Sequence, residues 1–510
     1  MLSIVKSLAL HGLQGYLVNI QVDISAGMPS FEIVGLPDTS IRESKERVKT
    51  AIKNSTSEFL SRKIVVNLAP ANTKKEGSIF DLPIAVGILI ANGYIYHADL
   101  TNTILVGELS LDGFICPIKG ILPICIEAKR LGIKRILLPI ANAKEASIID
   151  GLEIIPVSNL NEIIDYLNGQ FLISPEPTSH FISNTNTTYE FDFSEVKGQE
   201  NVKRALEISA AGGHNCLLIG SPGSGKTMLA RRLPSILPDL TFDEALEITK
   251  IHSISGLLSE ESPFIFKRPF RSPHHTITET SLVGGGRIPK PGEISLAHFG
   301  VLFLDELPEF NKSTLEVLRG PLEDKTVTIS RVDFSTTYPC NFMFIASMNP
   351  CPCGYYGSKE KQCTCREDQI QKYIHKISGP LLDRIDIHIE VESVNYQKLG
   401  NDSPSESSDE IRKRVNKARE IQVNRYKEHH IFSNSELTPK LMSNYCKLSS
   451  KSKQILETAF NQLGLSARAY SRILKVARTI ADLDNSINIK THHLAEAIQY
   501  RSLDRKYWCR

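Results

Sequence analysis

The sequence predicts an α/β protein in three parts: a mixed α+β unit at the N-terminus, a parallel sheet interleaved with helices in the middle, and a helical C-terminal segment. Three observations predict it. Apolar runs of strand length alternate with helical runs through the middle of the chain, two stretches rich in Ser, Thr, Asn and Pro break the apolar pattern, and beyond Asp409 the pattern is helical throughout. The breaks, residues 174–190 ("SPEPTSHFISNTNTTYE") and 398–410 ("KLGNDSPSESSDE"), are expected linkers that leave domains at 1–173, 191–397 and 411–510.

In the first part, "KIVVNLA" and "RILLPI" have the apolar, β-branched character of strands, while "DLPIAVGILIANG" reads as helix. In the middle part the strands "CLLIG", "VLFLD" and "FMFIASMN" are separated by helical segments, the βαβ pattern of a parallel sheet. No repeat of fixed period runs through the chain.

With 510 residues, 41% hydrophobic and 23% charged, the chain can bury several cores. No apolar run reaches the roughly 18 residues that a membrane-spanning helix needs. The opening "MLSIVKSLALHGLQGY" lacks a signal peptide's apolar core and cleavage site, so a cytoplasmic protein with no membrane partner is expected. Of ten cysteines, four crowd between Cys351 and Cys365 and six are scattered, which suits reduced thiols and one metal cluster better than disulfides. The net charge of +2 hides an asymmetry: residues 411–510 hold 20 Lys and Arg against 8 Asp and Glu, leaving 39 against 49 in residues 1–410. A polyanionic partner fits that split, and so does a basic helical segment that is simply solvated.

The most specific motif is "GSPGSGKT": Gly220, Ser221, Pro222, Gly223, Ser224, Gly225, Lys226 and Thr227, preceded by an apolar strand and followed by the helix-compatible "MLARRLPSIL". Glycines let backbone N–H groups wrap the phosphates of ATP, Lys226 reaches the terminal ones, and the Thr227 hydroxyl ligates Mg²⁺. In "VLFLDE" a buried strand delivers Asp305 and Glu306 to its C-terminal end, where ligands bind in open parallel sheets. Asp305 is the candidate for the magnesium shell and Glu306 for polarising the attacking water. The alternative is a strand that ends in a solvated acidic pair. "FMFIASMNP" ends in Asn349, whose amide could touch the γ-phosphate or the same water, although an Asn before Pro is also a routine turn former.

Two further segments carry charge on irregular or hairpin backbone. "SLVGGGRIPKPGEIS" has three successive glycines and two prolines, which exclude regular helix, and it supplies Arg287 and Lys290. "KTVTISRVDFSTTYP" alternates like a β-hairpin and carries Arg331. Either segment could be an exposed loop with no ligand. "CPCGYYGSKEKQCTC" offers Cys351, Cys353, Cys363 and Cys365 in a C-x-C-x₉-C-x-C arrangement that matches a closed, structural zinc site; iron–sulfur ligation and plain thiols stay open because the spacing within each pair is tight.

Together "GSPGSGKTMLA", "FRSPHHT", "GEISLAHFGVLFLDELPEF", "NPCPCGYYG", "SGPLLDRID" and "LSARAYSRILKVARTIADL" resemble the AAA+ ATPases, and within them the magnesium-chelatase-like proteins of the ComM (YifB) type, along essentially the whole chain. The resemblance implies an AAA+ core with a helix-2 insert at 191–397 and a helical lid at 411–510. It makes Asn349 the sensor-1 residue, Arg384 the arginine finger entering a neighbouring subunit's site, and Arg468 the lid's sensor-2 arginine. Read from the residues alone, Arg384 suits an internal salt bridge with Asp383 or Asp386, and Arg468, Arg472 and Lys475 recur at helical spacing as a solvated face would. A finger supplied by the next protomer makes hydrolysis depend on assembly, and a head-to-tail interface that closes gives a ring, here a homohexamer. Arg287, Lys290 and Arg331 would then face its channel and hold a phosphate backbone without reading bases.

Residues 1–173 resemble the Lon-protease-like (S5-type) α+β fold through "NLAPANTKKEGSIFDLPIAVGI", "VGELSLDGFICPIKGIL" and "ILLPIAN". A Lon peptidase needs a Ser–Lys dyad. Registering "KEGSIF" and "PIKGIL" on the family's patterns puts Ile79 at the nucleophile and Leu122 at the lysine, while Ser78 and Lys119 keep a shifted register open. Three functions follow. The resemblance implies a hexameric ATP-driven DNA motor, a helicase or branch-migration factor acting on recombination intermediates in natural transformation beside recombination proteins. A chelatase-type ATPase that remodels a protein partner and an ATP-dependent Lon-like protease are the alternatives.

Overall fold

Two units divide the chain, Met1–Ser183 with Ala245–Ile265, and Asn184–Glu244 with Phe266–Arg510. They are seen in a computed structural model that describes residues 2–508 apart from 57, 58, 60, 180–188, 287, 288, 332–334, 359, 360, 394–404, 430 and 504–506.

The first unit opens with strands β1 (Leu2–His11) and β2 (Gln14–Ser25), an antiparallel hairpin. β3 (Ser30–Val34) runs parallel to β4 (Lys63–Ala69), and β4 pairs antiparallel with β2, giving the order β1-β2-β4-β3. Val18, Ile20, Val22 and Ile24 of β2 alternate inward, the period-2 pattern of a sheet covered on one face. The cover includes helix Thr39–Thr56, which buries Ile41, Ser44, Val48, Ala51 and Ile52 at helical spacing, and helix Asp81–Ala91, which is buried nearly all round as its apolar sequence demands. β5 (Thr103–Leu105), β8 (Arg135–Pro139) and β9 (Glu153–Val157) form a second, parallel sheet; β6 (Glu108–Leu109) and β7 (Ile115–Cys116) make a small ribbon.

Residues 245–265, expected within the ATPase core, belong to this unit instead. Leu246 packs on the cluster of Leu122, Ile124 and Ile136, and the Gly120 N–H donates to Ser253 O at 3.2 Å. The expected linker at 174–190 is also partly structured: Glu176 N donates to Ile154 O at 2.9 Å and Ser179 N to Ser147 O at 3.0 Å.

In the second unit β10 (Cys216–Gly220), β11 (Phe270–Arg271), β14 (Val301–Leu304), β17 (Met343–Met348) and β18 (Ile387–Val391) form one parallel sheet in the order β11-β14-β17-β10-β18. Every residue of β10, β14 and β17 is buried, which is why those runs read as continuous apolar stretches with no alternation. Two antiparallel ribbons stand apart from the sheet: β12 (Gly284–Gly285) with β13 (Lys290–Pro291), and β15 (Thr326–Ser330) with β16 (Ser335–Pro339).

The C-terminal helices Ser408–Tyr426, Pro439–Tyr445, Ser450–Leu463, Ala467–Leu483 and Thr491–Gln499 share one apolar core with the sheet, reaching from Phe193 and Leu218 to Leu474 and Tyr500. The first of them starts at Ser408, inside the linker expected at 398–410, because Ser407 caps it: its hydroxyl takes the Glu410 N–H while the Glu410 carboxylate takes the Ser407 N–H. Among the described residues no helix is long and apolar enough to cross a membrane.

Candidate functional site

Three strand ends of the parallel sheet converge on one place. β10 runs into the phosphate-loop sequence, and helix Lys226–Arg232 starts from Gly225, whose φ of 90° is left-handed and favours glycine. Lys226 is largely buried, and its Nζ donates to Gly220 O at 2.8 Å, Ser221 O at 2.9 Å and Asn349 Oδ1 at 3.1 Å. Burial lowers its pKa, against the opposing fields of Asp305 and Glu306. Asn349 follows β17, so the lysine bridges two adjacent strands at their carboxyl ends.

The third strand end, after β14, carries the acidic pair. Thr227 Oγ1 donates to Asp305 Oδ2 at 2.6 Å, so the hydroxyl and the carboxylate proposed to hold magnesium are already side by side, a hard oxygen donor set of the kind that ion takes. Glu306 is exposed and adopts φ 53°, uncommon for a residue with a side chain and frequent where geometry is dictated by function. Its N–H donates to Asp305 Oδ1 at 3.1 Å and to Ser347 Oγ at 3.3 Å. Ser347, fully buried, also donates its own hydroxyl to Asp305 Oδ1. Sequence reading missed Ser347. It lies on β17 two positions before Asn349, which follows the strand's end. Gln199 was missed too: its Nε2 donates to Ser224 O in the phosphate loop at 2.7 Å and to Glu392 O at 3.1 Å.

The cations lie elsewhere in the unit. Arg384 pairs with neither Asp383 nor Asp386. Its Nη1 donates to Pro380 O at 2.7 Å and its Nη2 to the Glu323 carboxylate. Asp386 is occupied by Arg472 Nη1 at 2.8 Å and His214 Nδ1 at 3.2 Å. Burial alone would raise the Asp386 carboxyl, but Arg472 and His214 outweigh it and hold it well below the carboxylate range. Arg468 is exposed and 3.5 Å from Asp383 Oδ2. The stripe is not uniformly solvated: Arg468 is exposed beside Asp383, Arg472 is paired as above, and Lys475 Nζ donates to Ser435 O at 2.7 Å with its pKa brought down to about 8 by burial and by Arg472.

The two ribbons are tied together. Tyr338 OH donates to Pro289 O at 2.7 Å, and Arg331 Nε reaches Gly286 O at 3.4 Å. Lys290 and Arg331 are both exposed; Arg287 lies outside the described residues.

In the cysteine loop Cys351 Sγ is 3.4 Å from Cys353 Sγ and 3.7 Å from Cys363 Sγ, Cys353 Sγ is 3.6 Å from Cys363 Sγ, and all four sulfurs lie within 4.8 Å of one another. Zinc–sulfur bonds of about 2.3 Å in a tetrahedron put sulfurs about 3.8 Å apart, so the donor set fits that ion. Burial would raise the Cys353 thiol, but the backbone N–H groups of Thr364 and Tyr355 bring it down to about 5. Asp484, His492 and His493 form a second compact trio. There His493 Nδ1 accepts the Lys490 N–H at 3.0 Å, which puts the proton of a neutral ring on Nε2, and Nε2 faces Asp484 at 3.0 Å; this trio is a helix cap.

In the first unit Leu122 is fully buried and Ile79 packs on two apolar clusters. Ser78 hydrogen-bonds the Glu108 carboxylate, while Lys119 lies over Gly256, its Cε 2.5 Å from where a Cβ would stand. Among the described residues Ser78 and Lys119 are thus engaged separately, with no hydrogen bond between them.

A phosphate loop opening from a strand inside a five-stranded parallel sheet, next to its edge strand, with an acidic pair at the next-but-one strand end, is the architecture of P-loop nucleoside triphosphatases. Comparison with known proteins narrows the class. The family model described as magnesium chelatase, subunit ChlI, matches residues 192–399; subunit ChlI of Mg-chelatase matches 20–142; and the ChlI C-terminal model matches 405–501. YifB of Escherichia coli (strain K12) is 43% identical over 99% of this chain and 98% of its own length. Competence protein ComM of Haemophilus influenzae is 42% identical over 99% and 98%. Lon protease 2 of Bacillus subtilis (strain 168) is 30% identical over 34% of this chain and 33% of its own length, a partial likeness. The chain belongs to the magnesium-chelatase-like AAA+ family, in its ComM/YifB branch.

Proposed function

We propose that this chain is the subunit of a hexameric ATPase that encircles DNA and drives branch migration of recombination intermediates in natural transformation, alongside recombination proteins. The observation that carries the DNA reading is the joined pair of ribbons presenting Lys290 and Arg331 to solvent; of the aromatic residues near them, Tyr338 is buried and Phe334 lies outside the described residues. The basic C-terminal segment and the similarity to a protein named for competence support it.

In the ATPase step Lys226 would turn from loop carbonyls to the terminal phosphates, Thr227 and Asp305 would hold magnesium, and Glu306 would polarise the attacking water while Asn349 orients it. Magnesium, when bound, would supply charge neutralisation. Arg384 leaves Glu323 for the neighbouring subunit's γ-phosphate, where its guanidinium offsets the charge of the transition state, and Arg468 closes the lid on the same group. Cys351, Cys353, Cys363 and Cys365 hold structural zinc with no open ligand position, so they take no part in the chemistry.

A chelatase-type ATPase remodelling a protein is the second reading, favoured by the three family models named for the ChlI subunit. Proteolysis is disfavoured by apolar Ile79 and Leu122 and by the separate engagements of Ser78 and Lys119. The deciding experiment mixes purified protein with synthetic four-way junctions and ATP, beside Lys226→Ala. The wild type is expected to convert junctions and the variant to leave them intact. Hydrolysis of ATP with junctions untouched would transfer the chain to the remodelling reading.

A further inference from the structure

We propose that the four-cysteine loop is a brace for the phosphate loop, so that filling it with metal sets the affinity for ATP; this rests on the ATPase and zinc readings above. The contact is direct. Gly354, three residues after buried Cys351, has φ 85°, and a Cβ there would stand 2.4 Å from Pro222 Cδ and 2.6 Å from Pro222 Cγ. The Pro222 ring, part of the motif that wraps the phosphates, rests on bare backbone where no side chain fits.

Sulfur atoms fix where that backbone lies. The Cys353 N–H donates to Cys365 Sγ at 3.4 Å and the Tyr356 N–H to Cys351 Sγ at 3.3 Å, one on either side of Gly354. The Gly354 N–H closes the turn onto Cys351 O at 3.0 Å. A metal that locks four sulfurs into one tetrahedron thereby locks the amides bound to them, and with them the surface beneath Pro222. Without it, nothing ties the four sulfurs to one another and the turn between the two N–H···S bonds relaxes. Pre-organisation of the phosphate loop is then lost, which weakens binding before it slows chemistry.

The test uses the full chain with Cys363 and Cys365 both changed to Ser. These two are distant in sequence from Asn349 and leave the Cys351 and Gly354 turn unaltered in composition. Zinc content is measured by atomic absorption, ATP affinity by a fluorescent ATP analogue, and KM and kcat by phosphate release. Wild type is expected to hold about one zinc per chain and the variant under about a tenth of that, with KM and the analogue's Kd raised about five-fold or more and kcat changed less than about two-fold. Zinc lost with Kd and KM unmoved overturns the brace and leaves both underlying readings standing. Wild type without zinc overturns the metal reading and the brace with it. A chain that hydrolyses no ATP sinks the ATPase reading, while the analogue still reports on the brace.

Gly354→Ala supplies a second arm should the double variant fail to fold. It keeps all four cysteines, and zinc is expected to stay while Kd rises. Adding Pro222→Ala is then expected to recover part of the loss, because the backbone strain of alanine at φ 85° is common to both and only the clash is removed. No recovery overturns the brace.

Discussion

Ser347 stands behind the carboxylate that the strand pattern singled out, donating to Asp305 and accepting the Glu306 N–H. Removing its hydroxyl takes one of the donors from Asp305 and one of the two acceptors from the Glu306 N–H, leaving the carboxylate less firmly held by Thr227 and that amide. Ser347→Ala is expected to lower kcat for ATP hydrolysis about ten-fold or more and raise the magnesium concentration needed for half-maximal rate, measured by steady-state phosphate release. Asp305 and Asn349 were legible because each follows a recognisable strand, and Lys226 because it closes the phosphate-loop motif; the fold brings these segments together. Ser347 was not, since a serine within "FMFIASMN" reads as a small core residue. Arg384 shows the limit of local reading. Its neighbours Asp383 and Asp386 are the obvious acids in sequence, yet Arg468 and Arg472 take them and Glu323, from a different helix, takes Arg384.

At the scale of elements, the hairpin of β15 and β16 was fully legible. Val327, Ile329 and Tyr338 face in while Thr326, Thr328 and Thr337 face out, the alternation that "TVTIS" and "STTYP" spell. What no periodicity could give is its attachment to the β12–β13 ribbon through Tyr338, a contact between segments far apart in the chain. If the pair forms a phosphate-tracking surface, Arg331→Ala is expected to weaken DNA binding uniformly across sequences and to reduce the slope of log affinity against log salt by about 1, read by fluorescence anisotropy at several salt concentrations. Short elements were the least readable. β11 is only Phe270–Arg271, held as an edge strand by pairing with β14 that its own composition does not announce. The start of the helix at Ser408, by contrast, is written in "SSDE" as a capping box, and treating that stretch as linker passed over it.

At the scale of the molecule, a buried charge network fixes how the ATPase unit responds to acid. His214 Nε2 lies 2.7 Å from Thr479 Oγ1 on a C-terminal helix, and Nδ1 faces Asp386 beside Arg472. Burial lowers the His214 pKa, against the opposing pull of Asp386. The unfolded chain, with histidine near its ordinary value of about 6.5, therefore takes up the proton first. Stability is highest above that value and falls as pH drops below it, until the native ring is protonated too. Buried His493 adds a shift of the same sign. The melting temperature of the unit is expected to fall between about pH 7.5 and about pH 5.5, and His214→Gln to flatten that decline without abolishing it, followed by calorimetry. The same scale explains why the division into units was only partly readable: composition marks linkers, whereas the allegiance of residues 245–265 is decided by which core Leu246 enters.

That allegiance bears on how the gene can be dissected. Trimming at residue 184 to obtain the second unit alone would keep Leu246 and Ser253 while discarding the apolar bed and the Glu145 carboxylate made for them. The excised fragment would carry a sticky, orphaned helix, and a clean surgical separation calls for replacing 245–265 with a short artificial bridge at the same stroke.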